Sequence, residues 1–193
     1  VGPGYDDSPV RPWNGVNTKS RNNGNYYREM WKAALQLKPE ITAHGGEITS
    51  AVPGGYDIYS GTSMAAPNMA GAIALLRQNL KEQGLKGKAL SARVNQVLMS
   101  TATIARNEEN NPYSPRKQGA GLAGIKNAIE TESYITVKDE NGNESDKTKI
   151  ELYDDKKKTG VYEFDFTVNN VSGKEEVYSP EVFVMTETLA TDN

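Results

Sequence analysis

Residues 60–71 read Ser60-Gly61-Thr62-Ser63-Met64-Ala65-Ala66-Pro67-Asn68-Met69-Ala70-Gly71. Ser63 lies among small residues that leave its hydroxyl unscreened, and Pro67 four positions on is typical of the beginning of a helix. A helix N-terminus offers unpaired N–H groups and the positive end of the dipole, so an oxyanion formed beside Ser63 would find donors. The same spacing also fits a Gly/Ala helix packed tightly in a core, and the pattern alone leaves both interpretations open.

Two other serine chemistries are excluded by the residues that follow Ser63. The nucleophile elbow of α/β-hydrolases needs Gly-x-Ser-x-Gly, because the second glycine lets a strand and a helix approach closely, and Ala65 occupies that place. A Ser-x-x-Lys acylase needs a lysine three residues on, where Ala66 stands.

Three segments, in the same order along the chain, resemble the subtilisin-like serine proteases. Gly61–Pro67 resembles the segment around their active serine, and Leu37–Ile48 resembles the strand and glycine turn that precede it. Ser114–Leu122 resembles the segment that closes the catalytic domain in the large cell-envelope branch, the lactocepin and C5a-peptidase type. The resemblance covers about residues 37 to 130 and implies an α/β fold, the C-terminal part of a parallel-sheet peptidase domain.

The resemblance also implies roles for individual residues. Ser63 would be the nucleophile, its backbone amide would contribute to the oxyanion hole, and Gly61 and Thr62 would shape the turn. The residues expected along the cleft for a protein or peptide substrate, because they lie next to this turn, are Gly54, Gly55, Tyr56 and Tyr59.

A serine nucleophile needs a base, and the only histidine is His44. In the family this position usually holds proline, so His44 is either the base or, as we expect, a loop residue that lines the cleft. The catalytic Asp and His and the Asn side chain of the oxyanion hole precede the serine in the family, and nothing upstream of Ser63 resembles them. Asn22, Asn23 and Asn25 are typical of turns.

We therefore expect the chain to be a piece of the enzyme. It starts at Val1 and carries no apolar signal segment. On this interpretation it is inactive alone, and its partner is the remaining half of the catalytic domain. Two alternatives stay open: a pseudoprotease whose surface serves protein binding, and a spacer or attachment module.

Periodicity predicts mainly helices up to residue 130. Residues 1–25 are typical of a loop, and residues 26–36 carry a helical apolar stripe. A strand is predicted from Pro39 through Ala43 to Ile48, with a turn at Gly45-Gly46. A helix over 63–83, apolar on most faces, is expected inside, with Pro67 in its first turn and Gly84 ending it. Further helices are predicted over 89–100, with Leu90, Val94, Val97 and Leu98 buried, and over 125–129.

After about residue 131 the pattern changes to alternation with a period of two. Strands are predicted at 134–137, 149–153, 161–168 and 181–185, separated by turns. In position and pattern this part resembles the fibronectin-III-like domain of the cell-envelope subtilases, although it is short for a whole sandwich. The predicted domains are therefore residues 1–130, subtilisin-like, and residues 131–193, an all-β fibronectin-III-like sandwich segment.

Composition limits the partners. The 193 residues carry a net charge of -3 with both signs interspersed and a mean hydropathy of -0.66. This pattern argues against nucleic acid and against membrane insertion. Cysteine is absent, and no metal-ligand spacing identifies a cofactor, although the resemblance allows structural calcium in the parent enzyme. The expected location is extracellular, at a bacterial cell envelope.

Overall fold

The computed structural model describes residues 37–139, 141–152, 155 and 157–185. The loop predicted over 1–25 and the helix predicted over 26–36 lie outside these residues. The elements, in chain order, are β1 (Ile48–Val52), β2 (Gly55–Tyr59), α1 (Thr62–Glu82), α2 (Gly87–Ser100), α3 (Pro115–Gln118), α4 (Ile125–Glu130), β3 (Ser133–Val137) and β4 (Phe166–Asn170). The fold is thus a mixture of helices and small sheets.

The core lies where α1, α2, α4 and β3 meet. The predicted stripe of α2 is confirmed, since its four apolar residues are all buried. They recur at helical spacing and form one apolar stripe, and Gln96 and Met99, which lie outside this stripe, are buried as well. The buried cluster consists of Leu76, Leu80, Leu90, Val94, Val97, Leu98, Ala128 and Tyr134.

Helix α1 has the predicted length and end. Gly84, with a φ of 91°, donates its N–H to Lys81 O at 2.9 Å, and Leu85 donates to Leu80 O at 3.1 Å. This pair of bonds is the Schellman motif, which satisfies the last carbonyls of a helix and favours glycine.

The expectation that α1 is covered on most faces is wrong for the described part of the chain. Only Leu76 and Leu80 of α1 are buried, and Leu75 is 57% exposed. Helices α2 and α4 pack against one side of α1, and no described sheet covers its other side. The sequence of α1 has apolar residues around most of the helix, but a helix face is buried only where another element covers it.

Both described sheets are antiparallel, whereas a parallel sheet was predicted. Strands β1 and β2 form a hairpin with Ile48 opposite Tyr59, and β3 pairs with β4 with Ser133 opposite Asn170. In the predicted strand before Gly45 only Thr42 makes a bridge, a parallel one to Leu122. The sequence analysis expects Tyr56 and Tyr59 along a cleft and predicts no hairpin, whereas the structure pairs residues 55–59 with residues 48–52.

The predicted β-sandwich is not seen in the described part of residues 131–193. Residues 134–137 and 166–168 lie in strands, but 149–152, 161–165 and 181–185 do not. Their apolar residues stay exposed, Val161 at 67% and Val182 at 82%. An alternating pattern becomes a strand only where a neighbouring strand pairs with its backbone, and the fibronectin-III-like assignment therefore stays a prediction.

The core extends across the predicted domain boundary at residue 130. Tyr134 belongs to the buried cluster, and the Arg93 guanidinium lies 3.9 Å from the centroid of its ring. Ser100 Oγ accepts the N–H of Ile135 at 2.8 Å. Strand β3 is thus attached directly to α2, and the boundary stays a prediction.

The segment Ser114–Leu122 ties distant parts of the chain together. The buried Gln118 side chain accepts the N–H of Ala105 at 2.6 Å through Oε1, and the backbone carbonyl of Gln118 accepts the Thr42 hydroxyl at 3.0 Å. Gly119 has a φ of 64°, and a Cβ there would lie 2.4 Å from the Glu40 carbonyl oxygen. A glycine is required at this position both by its backbone angle and by the close approach.

Gly119→Ala should destabilise the fold by about 2–5 kcal/mol, because the positive φ costs about 1–2 kcal/mol and overpacking adds about 1–3 kcal/mol. The matched control is Gly142→Ala, with a φ of 80° but nothing within 4 Å of the added Cβ. Urea unfolding monitored by circular dichroism measures the free energy of unfolding of both variants. Equal losses for the two variants would contradict the close contact with Glu40.

Candidate functional site

Ser63 is exposed at the second residue of α1. Gly61, the N-cap, has φ 154° and ψ 172°, and its carbonyl accepts the N–H groups of Met64 at 3.0 Å and Ala65 at 3.2 Å. Among the described residues, no acceptor is found for the N–H groups of Thr62 and Ser63, and the Ser63 hydroxyl makes no hydrogen bond. Two adjacent donors therefore flank a free hydroxyl at the positive end of the helix dipole.

Pro67 lies in the second turn of α1, and the prediction that placed it in the first turn is wrong. The helix begins at Thr62, which makes Pro67 its sixth residue. In an α-helix the N–H of this residue would bond to the Ser63 carbonyl, and proline has no N–H. The hydrogen-bond ladder is thus interrupted at Ser63.

The serine turn is held by the segment that precedes β1. Gly61 donates its N–H to Gly45 O at 2.7 Å, and Ser60 Oγ accepts the N–H of Glu47 at 2.8 Å. A Cβ on Gly45 would lie 2.6 Å from Gly61 O and 2.9 Å from Ala65 Cβ. Sequence reasoning identified Gly45 only as a turn residue. Its tight contact with the N-terminus of α1 depends on tertiary packing, which no local pattern reports.

His44 is exposed and makes no hydrogen bond to Ser63. It lies next to Gly45, in the segment that contacts the serine turn. Within the described ranges, the structure therefore does not bring an imidazole into hydrogen-bond contact with the hydroxyl.

The predicted cleft residues lie on the β1–β2 hairpin. Pro53 and Gly54, which has a φ of 88°, form its turn, and Gly55 begins β2 opposite Val52. Tyr56 is 79% exposed and Tyr59 is 44% exposed. Side chains alternate between the two faces of a strand, so these tyrosines lie on opposite faces of β2 and do not form one wall.

A groove of about 480 Å³ lies between α1 and the segment before Gly45, and sequence reasoning did not find it. The groove is lined by residues that are far apart in the chain, so no local sequence pattern could predict it. Its lining consists of Lys38, Pro39, Glu40, Ile41, Ala43, Ala65, Ala66, Met69, Ala70 and Ile73.

An ion cluster surrounds Glu40 at the rim of this groove. The Glu40 carboxylate contacts Lys38, lies 3.0 Å from Lys147 Nζ and 3.7 Å from Lys149 Nζ. Burial alone would raise the pKa of Glu40, but hydrogen bonds from Lys38 and Lys147 outweigh it and lower the pKa to about 2. The bond to Glu40 raises the pKa of Lys147. Residues 147–149 are thereby joined to the segment that supports the serine turn.

Curated relatives match much of the chain. It is 43% identical over 122 residues to the PII-type proteinase of Lactococcus lactis subsp. cremoris, covering 56% of this chain and 6% of the relative. It is 37% identical over 161 residues to the C5a peptidase of Streptococcus pyogenes, covering 81% of this chain and 13% of the relative. The chain is a homologue of the subtilisin-like cell-envelope proteinases. It spans only a small part of the length of these proteinases.

Two solved proteases are also similar to the chain. The Patellamide maturation protease PatA is 30% identical with a TM-score of 0.38, covering 46% of this chain and 32% of that one. The Prenylagaramide maturation protease PagA is 33% identical with a TM-score of 0.38, and the match covers 47% of this chain and 32% of PagA.

A sequence model of Glycosyl hydrolase family 99 matches residues 1–51. The described carboxylates in this range are Glu40 and Glu47. A glycosidase acid must hold a proton near neutral pH, whereas the pKa of about 2 keeps Glu40 ionised. Glu40 is therefore unsuited to that role.

In the described part of this cell-envelope proteinase homologue, no helix combines the length and the apolar character needed to cross a membrane. The same residues contain no group of three acidic or histidine side chains arranged to hold a metal ion.

Gly45→Ala should displace the serine turn, because its Cβ would collide with Gly61 O, whereas at Gly46 an added Cβ meets nothing within 4 Å. The amide resonances of Gly61 to Met64 report this displacement, and they should shift in Gly45→Ala and stay in place in Gly46→Ala. Unchanged resonances in Gly45→Ala would show that the contact does not hold the turn.

Lowering the pH should weaken the fold through Glu40. The pKa of its carboxyl is about 2 in the folded chain against an ordinary 4.5, so the stabilisation is fully present above pH 4.5 and is lost as the pH falls toward 2. The free energy of unfolding in urea, measured from pH 6 down to about pH 2, checks this.

Glu40→Gln should remove most of this pH dependence. The matched control is Glu130→Gln, whose carboxylate forms an exposed pair with Lys126 at 2.9 Å, because such pairs contribute little. If the free energy of unfolding varied with pH in the same way for the unmodified chain and for Glu40→Gln, the ion cluster around Glu40 would not be the source of the pH dependence.

Proposed function

We propose that the chain carries the nucleophile of a secreted subtilisin-like serine endopeptidase, which hydrolyses peptide bonds of protein or peptide substrates through an acyl-enzyme on Ser63. The supporting observation is the exposed Ser63 hydroxyl beside two N–H groups for which the described residues supply no acceptor. Homology to cell-envelope proteinases supports the reaction class.

In the proposed mechanism Ser63 Oγ attacks the scissile carbonyl carbon while a histidine of the remaining half of the catalytic domain takes its proton. The carbonyl oxygen becomes an oxyanion, which accepts hydrogen bonds from the Ser63 N–H and from an Asn side chain of that half. The histidine then protonates the leaving amine, and water hydrolyses the ester in the reverse sense.

The other predicted residues position these groups. Gly61 and Thr62 shape the turn that presents Ser63. Gly54, Gly55, Tyr56 and Tyr59 would contact the substrate from the hairpin that leads into the turn. Because these tyrosines lie on opposite faces of β2, only one of them can contact a given face of the substrate.

The proposed setting is extracellular, at a bacterial cell envelope, as the resemblance to the cell-envelope branch of the subtilisin-like proteases implies. The partners are the substrate and the remaining half of the catalytic domain, with no nucleic acid and no membrane insertion. The reaction needs no cofactor, and any calcium would be structural in the parent enzyme.

A second candidate is a pseudoprotease or a surface adhesion or spacer module with a non-catalytic Ser63. The observation in its favour is that the chain's single histidine, His44, makes no hydrogen bond to Ser63.

A serine-directed fluorophosphonate probe separates these proposals. The full-length parent should be labelled at Ser63, located by peptide mass spectrometry, and not in Ser63→Ala. The present chain should react at least about 10⁴-fold more slowly than the parent, because on this proposal it lacks the base. Ser60→Ala, which leaves the nucleophile in place, is the matched control and should still be labelled.

An unlabelled but folded parent would favour the second candidate. Rapid labelling of the present chain would contradict the proposal that the base lies outside it. If the His44→Ala variant then lost this labelling, His44 would be assigned as the base.

A further inference from the structure

Residues 144–149 form a strap that is fixed to the core on one side. Gln96 of α2, only 1% exposed, donates its side-chain amide to Glu144 Oε1 at 3.0 Å and to Ser145 O at 2.9 Å. The Thr148 hydroxyl donates to a carbonyl of β3 at 2.9 Å. A buried amide is costly to leave without its partners, so these bonds hold the strap against α2 and β3.

The other side of the strap reaches the support segment, residues 37–45, which carries the serine turn. Lys147 Nζ lies 3.0 Å from Glu40 Oε1, and Lys149 Nζ donates to Leu37 O at 2.9 Å. The side chains of the Lys147 pair are 35% and 25% exposed, so water and salt screen it less than a pair at an open surface. Of the two contacts, that of Lys147 is nearer in the chain to the serine turn.

Next to this pair, within the described part of the chain, a recess separates the support segment from α2. Its volume is about 190 Å³, and its lining includes Glu40 and Ile41 of the segment, Leu98 and Met99 of α2, and Lys147. Side chains that border a recess lose part of the packing contacts that would otherwise fix them. The bond between Lys147 and Glu40 therefore helps to set how far the segment lies from α2.

The other lysines near Glu40 do not supply the same link. Lys38 is two residues away in the same segment, so its contact with Glu40 does not tie the segment to another element. Lys149 Nζ lies 3.7 Å from Glu40 Oε1, beyond hydrogen-bond distance, and forms its close pair with Glu151 at 2.8 Å. Lys147 thus makes the direct bond between the strap and the Glu40 carboxylate.

We propose that Lys147 is a positioning residue for Ser63, which acts through Glu40 and the support segment on the turn that carries the nucleophile. The pair with Glu40 holds the segment near its beginning. At its end, Gly45 O accepts the N–H of Gly61 at 2.7 Å, two residues before Ser63. The effect on catalysis rests on the proposed function, whereas the effect on the position of the turn does not.

This role extends the catalytic unit beyond the segment Ser114–Leu122, which resembles the part that closes the catalytic domain. A misplacement of about 1 Å caused far from the reacting atoms can lower the rate about 10²-fold, so a remote support can matter to a nucleophile. Residues 144–149 are then part of the support of the site and not a spacer.

The first test follows the serine turn in the isotope-labelled present chain and needs no catalysis. Lys147→Met removes the charge but keeps most of the stem, and it should shift the amide resonances of Gly61 to Met64. Lys147→Arg keeps a charged donor for Glu40 and should leave these resonances close to their original positions. Lys126→Met is the matched control, because this lysine forms an exposed ion pair within α4, and it should leave them in place.

The second test measures turnover in the full-length parent, with the active sites counted by the fluorophosphonate label. Lys147→Met should lower kcat about tenfold, because it displaces the nucleophile. KM should stay nearly unchanged, since Lys147 is not among the residues expected to contact substrate. Lys147→Arg should restore kcat, and Lys126→Met should not change it. A merely structural role would lower the number of labelled sites but not the kcat of each site.

Glu40→Gln tests the route. It removes the same bond from the other side and should shift the same resonances, which keeps the test decisive if Lys147→Met does not fold. In the Glu40→Gln background, Lys147→Met should lower kcat no further, because residues that act through one contact are not additive. Losses that multiply would show that Lys147 acts by another route and would overturn the proposal.

Two further results would overturn the proposal. One is a set of Gly61 to Met64 resonances that is unchanged in Lys147→Met or equally shifted in Lys126→Met. The other is an unchanged kcat per labelled site in Lys147→Met. If the parent is not labelled at Ser63, the proposed function fails, and the resonances alone then decide whether Lys147 holds the turn.

Discussion

The close approach of Gly45 to the N-terminus of α1 is the constraint on which the candidate site depends. The N–H of Gly61 bonds to Gly45 O at 2.7 Å, and the Gly45 α-carbon leaves no room for a side chain. A helix N-terminus has no intrahelical partners for its first N–H groups, so its geometry must be set from outside. Here an extended segment sets it, and the N–H groups of Thr62 and Ser63 meet no acceptor among the residues that the structure describes.

The supporting segment is itself held in place by a second layer. Gln118, buried at 5% exposure, bonds to Ala105 and receives the Thr42 hydroxyl, while Gly119 packs against the Glu40 backbone. The Glu40 side chain reaches in the other direction, to Lys147. Gln118, Gly119 and Lys147, which come well after the serine turn in the chain, therefore hold the strand segment beneath it.

The sequence predicted the elements that depend on local spacing. The extents of α1, α2 and α4 followed from helical periodicity, and the α2 stripe followed from the i, i+4, i+7 pattern. The burial of α1 and the strands predicted at 149–152, 161–165 and 181–185 were predicted wrongly, because both depend on covering elements that the described residues do not supply. Only residues 166–168 of the predicted strand 161–168 lie in a strand, β4, whereas Val161 and Val182 stay exposed and outside the strands of the described residues.

At the site, the sequence could identify Ser63 as a candidate but could not find its supports. The motif at residues 60–71 identifies the Ser63 hydroxyl and the neighbouring glycine Gly61, because small residues around a serine are a local sequence signal. The roles of Gly45, Gln118 and the Glu40 cluster involve partners more than ten residues away, and the groove joins two such partners.

Pro67 has a mechanical consequence for the nucleophile. Because it supplies no N–H to the Ser63 carbonyl, the first turn of α1 is joined to the rest of the helix by fewer bonds than an ordinary turn. A small displacement of the segment around Gly45 would therefore carry Ser63 with it while the later turns, anchored in the core through Leu76 and Leu80, stay still. The first turn of α1 therefore depends more on the bond between Gly61 and Gly45 than an ordinary first turn depends on its neighbours.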